Sequence, residues 1–156
     1  MRARGFTLVE LVVVVAVVGL LATAALPLGK MLTQRAKETE LRIALRDLRA
    51  GIDAYKRAAM DGRILMKVDG SGYPASLDVL VDGAEDTKDP LKAKIHFLRR
   101  LPRDPFFPDA TAKAADTWGL RSYKSSATEP QAGEDVYDIY SLSRGVGLNG
   151  IPYRQW

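Results

Sequence analysis

The chain has 156 residues, of which 47% are hydrophobic and 27% charged, and its 23 Lys and Arg against 19 Asp and Glu leave a net charge of +4. So small an excess is not the footprint of a nucleic-acid-binding protein. The complete lack of cysteine excludes disulfides, thiol catalysis and zinc–thiolate sites.

The averages conceal an asymmetry. After a short basic opening with Arg2 and Arg4, the stretch from Phe6 to Gly29 holds a single ionisable side chain, Glu10, and most of the remaining charge follows Gly29. The chain therefore reads as an apolar segment joined to a soluble domain long enough to bury a modest core. As a helix at about 1.5 Å per residue the apolar segment reaches about 36 Å, enough for a hydrocarbon layer of about 30 Å. A secretory signal peptide is one reading, with Ala22 to Ala25 as the small-residue cleavage site. A plain signal anchor is another. Both leave Glu10 without a partner, although a carboxylate at the centre of a membrane helix costs roughly 2.5–3.5 kcal/mol.

The block Gly5-Phe6-Thr7-Leu8-Val9-Glu10 closely resembles the prepilin cleavage motif of type IV pilins and pseudopilins. The resemblance implies that a dedicated prepilin peptidase cuts between Gly5 and Phe6, and that the new terminus, Phe6, is N-methylated. It further implies that Glu10, now the fifth residue, pairs with the Phe6 ammonium of a neighbouring subunit and sets the register of assembly. Residues 1–5 are then a leader peptide, 6–29 a transmembrane and assembly helix, and 30–156 a periplasmic pilin-like domain that includes the C-terminal half of the long helix. Arg2 and Arg4 place the leader on the cytoplasmic side, a count that Lys30, Arg35 and Lys37 at the far end weaken. Pro27 either loosens the helix or marks its exit from the membrane.

From Lys30 to Met60 the periodicity predicts a continuing amphipathic helix. Leu41, Leu45, Leu48, Ile52, Tyr55 and Ala59 recur at steps of four and three, Ala44 broadens the stripe, and Arg42, Arg46, Arg49, Asp53 and Arg57 lie one residue round. Thr33 to Glu40 has no apolar face and reads as a bridge between membrane and domain, open to neighbouring subunits. Gly62 suits a helix C-cap. Residues 62–72 read as a loop with a short strand at Ile64 to Val68. Gly72-Tyr73-Pro74 introduces a short helix capped near Ser76, an arrangement similar to that of pseudopilins. Asp82 to Pro90 reads as a polar loop.

The run Phe97-Leu98-Arg99-Arg100-Leu101-Pro102-Arg103-Asp104-Pro105-Phe106 resembles a segment of the major pseudopilin of type II secretion. Its two prolines make it stiff and extended. Strand signals follow at Thr117 to Tyr123 and Val136 to Leu142, with Ser125 to Gly133 as the connection. An antiparallel sheet laid on the helical stripe gives an α+β, pilin-like fold.

Nothing in the sequence assembles a catalytic centre. His96 is the lone histidine and reads as structural, acidic residues are scattered without evident pairing, and neither a Ser-His-Asp set nor a phosphate-cradling glycine loop is visible. The chain is expected not to be an enzyme and to carry no cofactor. Many relatives of the resembled family bind calcium in the C-terminal loop. Here Tyr137-Asp138 is present, but no acidic residue follows Asp138, whereas calcium collects several oxygen ligands, usually carboxylates. The resemblance implies a subunit of a periplasmic pseudopilus that drives protein export in type II secretion. It would be held in the inner membrane by one span, with further copies of itself, minor pseudopilins, the inner-membrane secretion platform, prepilin peptidase and the lipid bilayer as partners, and no nucleic acid. A type IV pilin or minor pilin for adhesion, motility or DNA uptake is the alternative. A tethered DNA-binding module using Arg99, Arg100 and Arg103 is a third reading, which demands salt-dependent binding.

Overall fold

The computed structural model describes residues 7–156, apart from the side chains of 24–28. Gly5 and Phe6 therefore lie outside the described residues. The element order is helix α1 (Leu8–Met60), helix α2 (Val79–Asp82), strands β1 (Ala84–Glu85) and β2 (Lys94–Ile95), a 3-10 turn at Ala115–Thr117, strands β3 (Trp118–Arg121) and β4 (Asp138–Ser141), and a 3-10 turn at Tyr153–Gln155. It is an α+β fold, a long helix packed on small antiparallel sheets. The chain forms two compact units, Met1–Ala36 and Lys37–Trp156.

The first unit holds the opening part of α1, which passes through Pro27 and Gly29 without a break in the helical assignment. Among the described residues, no helix is long and apolar enough to cross a membrane. The described apolar side chains from Leu8 to Thr23 reach about 24 Å at about 1.5 Å per residue, less than a hydrocarbon layer of about 30 Å.

In the second unit the predicted stripe is the core. Leu41, Ala44, Leu45, Leu48 and Ile52 are buried and meet Leu77 and Leu80 of the α2 region, Trp118 of β3, Val136 and Ile139 at β4, and Tyr153. Ala59 joins a smaller cluster with Ala58 and Ile64. The long helix stops because Gly62 takes φ +67°, open to glycine at little cost. The Gly62 amide then donates to Ala59 at 3.0 Å and the Arg63 amide to Ala58 at 2.9 Å, a Schellman end.

β3 and β4 pair antiparallel, with Trp118 opposite Ser141, Gly119 opposite Tyr140, Leu120 opposite Ile139 and Arg121 opposite Asp138. The Tyr140 ring lies flat against Gly119, so that a Cβ added there would come within 2.3 Å of it. We expect Gly119→Ala to displace the ring and cost about 1–3 kcal/mol, read as a lower thermal midpoint of the purified chain.

Three expectations are corrected. Ile64 to Val68 is not a strand: Leu65 and Val68 are 86% and 93% exposed, and no neighbouring strand takes up the backbone. The short helix begins at Val79 with Asp78 as its cap, not near Ser76, and Asp78 makes no side-chain capping bond. The segment Asp82 to Pro90 contains β1, which pairs with β2 through Ala84 opposite Ile95 and Glu85 opposite Lys94.

Nor are the acids unpaired. Asp86, nearly buried, receives Nε of Arg63 at 3.0 Å and the Lys88 amide at 3.0 Å. The Arg63 hydrogen bond, with the Lys88 amide behind it, holds the Asp86 carboxyl below its usual range. A depressed carboxyl stabilises the fold fully above its unfolded value, about 3.9, and the contribution is lost as pH falls through the lower folded value. Asp86→Asn should therefore melt below wild type at neutral pH, and the gap should close only below about pH 4. Thermal midpoints measured against pH test this.

Candidate assembly site and its polar supports

Of the expected site residues, Glu10 is described. It lies in the first turn of α1 and is exposed. Its own amide donates to Thr7 Oγ1 at 3.2 Å, and the Leu11 amide donates to the Thr7 carbonyl at 3.2 Å. Thr7 thus caps α1, and Thr7-Leu8-Val9-Glu10 has the Thr-x-x-Glu spacing of a capping box. A carboxylate in the first turn also faces the positive end of the helix dipole. The capping role of Thr7 was readable from that spacing and was missed.

Around Glu10 the helix is apolar on every side. Leu8, Val9, Leu11 to Val15, Val17, Val18, Leu20 and Leu21 are each 50–79% exposed. A surface helix of a water-soluble domain carries one apolar stripe, whereas a helix apolar all round belongs inside a bundle or a bilayer. Exposed apolar surface on this scale marks an interaction site. Glu10 is the one carboxylate in that surface.

The second unit has polar supports that sequence reasoning did not find. Arg49 on α1 donates through Nε to Asp138 Oδ1 at 2.9 Å and through Nη2 to the backbone oxygen of Trp156 at 2.9 Å. Arg121 on β3 reaches Asp138 Oδ2 at 3.3 Å from the neighbouring strand. The Tyr137-Asp138 pair therefore ties the sheet to the helix. Asp104, inside the proline-stiffened run, is buried and accepts from Ser141 Oγ at 2.5 Å and from the Phe106 amide at 2.8 Å. Trp118 Nε1 donates to the Pro102 carbonyl at 2.9 Å, so that run is fastened to both strands of the sheet.

Glu38 sits where the sequence suggested an open bridging segment. It is only 4% exposed and accepts from the Leu148 amide and the Tyr153 hydroxyl. The expectation for Thr33 to Glu40 fails at its C-terminal end, where Lys37 also lies over the Phe106 ring. His96 is exposed and binds the Val81 carbonyl through Nδ1 at 2.7 Å.

Residues 1–26 match the family model of the prokaryotic N-terminal methylation motif. Over 109 residues the chain is 30% identical to the type II secretion system core protein G of Pseudomonas aeruginosa, a match that covers 67% of this chain and 69% of that protein. The chain belongs to the core protein G family of pseudopilins. No solved structure matches it. Membership gives the exposed apolar helix a context, because a pseudopilin is a pilin-like structural subunit bearing the N-terminal methylation motif. Within the pseudopilin, the Leu-Pro-Arg-Asp-Pro-Phe run and the Tyr-Asp pair are where Asp104 and Asp138 anchor the sheet.

Proposed function

We propose that this pseudopilin is a structural, non-catalytic subunit of a periplasmic pseudopilus that drives protein export through the type II secretion system. The observation that carries the reading is the helix apolar on all sides with one carboxylate in its first turn, in a chain of the core protein G family. Residues 1–5 are the leader, cut between Gly5 and Phe6 by prepilin peptidase, and Phe6 is N-methylated. Residues 6–29 hold the chain in the inner membrane as a single pass, and residues 30–156 face the periplasm. When neighbouring helices or lipid cover the apolar surface, Glu10 loses its water. The Phe6 ammonium of the next subunit then compensates it, because a buried charge without a partner is strongly destabilising. Copies joined by such a head-to-tail contact, with a rotation that does not close a ring, extend as a helical filament. Minor pseudopilins and the inner-membrane secretion platform are the further partners.

Mass spectrometry of the protein isolated from membranes tests the processing. Loss of residues 1–5 together with the mass of one methyl group on Phe6 is the expected result, and a chain still beginning at Met1 refutes it. Export is tested by deleting the gene: secretion should fail and return with the wild-type copy, and unimpaired secretion refutes the role.

A further inference from the structure

Residues 143–156 are folded back on themselves and fixed to α1 without any acidic side chain of their own. Val146 bridges Pro152, the Gly147 amide donates to the Ile151 carbonyl at 2.9 Å, and the Tyr153 amide to the Gly145 carbonyl at 3.1 Å. Two sets of contacts attach this hairpin to the helix. Glu38 Oε1 receives the Leu148 amide at 2.8 Å and the Tyr153 hydroxyl at 3.0 Å. Arg49 holds the backbone oxygen of Trp156, and the Arg42 guanidinium lies 4.5 Å from the Trp156 ring centre. The rings support the same attachment. Tyr153 stacks on Phe106 at 4.1 Å and meets Trp156 edge-on at 5.1 Å, while Gly147 leaves room for the indole.

A calcium site requires several oxygens converging on one point. The donors here run the other way. A single buried carboxylate on the helix collects an N–H and an O–H from the segment, and a guanidinium collects its backbone oxygen. The side-chain oxygen of Asn149 accepts from the Ile151 amide at 3.0 Å, inside the hairpin itself. Among the described residues, no three acidic or histidine side chains are grouped to hold an ion. The residues do not fit calcium.

We infer that Glu38 and Arg49 form a built-in latch that orders the C-terminal segment of this pseudopilin without a divalent cation. Glu38 supplies on the helix side the charge that a bound cation would supply at the loop, with opposite sign and with N–H and O–H groups as partners. Charge-assisted hydrogen bonds of this kind are about twice as strong as neutral ones. The inference concerns the fold of the second unit and does not depend on the filament's role in export.

The test is hydrogen exchange and thermal unfolding of the full chain in detergent, with chelator or with calcium at about 5 mM, above the roughly 0.1–1 mM range of weak extracellular sites. Equal protection of the Leu148 and Tyr153 amides in both conditions, and equal midpoints, are expected. A midpoint raised by about 3 °C or more in calcium overturns the inference. Glu38→Ala should lower protection at Leu148 by about tenfold or more in either condition. Unchanged protection, or protection restored by calcium, overturns it. Should Glu38→Ala fail to fold, Tyr153→Phe removes a single hydroxyl. It should then lower protection across Tyr153 to Trp156 several-fold, and it overturns the inference if it does not.

Discussion

Glu10→Val is expected to abolish filament assembly while the protein stays in the membrane fraction. The two readouts separate because the substitution acts on them with opposite sign. A carboxylate within a membrane helix costs roughly 2.5–3.5 kcal/mol at the centre and less towards the interface, so valine favours insertion by up to about 300-fold. The same change removes the one charge in an apolar surface that otherwise offers only non-directional packing, and Leu8 to Leu21 look alike at many axial offsets. Without a charged contact to favour one offset over another, helices associate without fixed register, and an open helical polymer is not built. The Thr7 hydroxyl still caps the Glu10 amide, a backbone group that valine retains, so α1 should begin where it does now. Glu10→Asp keeps the charge on a shorter arm and should assemble at an intermediate level. Membrane fractionation and electron microscopy of sheared filaments provide the measurements. Filaments at wild-type abundance from the valine variant would overturn the role given to Glu10.

What the sequence revealed was periodic or local. The stripe from Leu41 to Ile52 was legible because helical burial repeats every 3.6 residues, and those residues form the core. Gly62 was legible because a helix end needs a left-handed residue within a few positions. The two longer strands were placed correctly but drawn too long. Thr117 belongs to a 3-10 turn, and the β3–β4 ladder spans only Trp118 to Arg121. β1 and β2 have two residues each, too few to show any alternation, and they lie in polar sequence. Ile64 to Val68 erred in the other direction: its apolar residues suggested a strand, but a strand requires a partner edge.

The polar supports were illegible for a different reason. Glu38 finds Leu148 at a separation of 110 residues and Arg49 finds Asp138 at 89, and no local pattern encodes such pairs. A charged residue beside an apolar stripe normally reads as solvated surface. Only the sheet and C-terminal hairpin folding over that edge turn Glu38 and Arg49 into anchors. For the candidate assembly site the position is reversed. Glu10 stands out in the sequence because an ionisable group in an apolar run is anomalous on energetic grounds, whereas the cap at Thr7 beside it does not.

Asp104→Ala should destabilise the second unit more than any other single polar substitution considered for it. The carboxylate is 3% exposed, and both of its oxygens are used, one by Ser141 Oγ at 2.5 Å and the other by the Phe106 amide at 2.8 Å. Its own amide donates to Thr117 Oγ1 at 3.1 Å, so the residue links the proline-stiffened run to β4 and to the 3-10 turn that leads into β3. Hydrogen bonds to a charged group contribute about 1.5–3 kcal/mol each, and alanine leaves a buried hydroxyl and an amide without their acceptor, for a total loss of about 3–5 kcal/mol. In a chain of this length that lowers the thermal midpoint by about 10 °C or more. Asp104→Asn retains an acceptor for one donor and should lose about half as much. Ser141→Ala removes the other end of the shorter bond. If the carboxylate acts through that bond, the double variant Asp104→Ala, Ser141→Ala should be more stable than the sum of the single losses by about 1 kcal/mol or more, because the stranded hydroxyl is gone. Additive losses would show that Asp104 stabilises the loop through the Phe106 amide alone. The proline-stiffened run would then be a turn that happens to lie against β4, not one fastened to it.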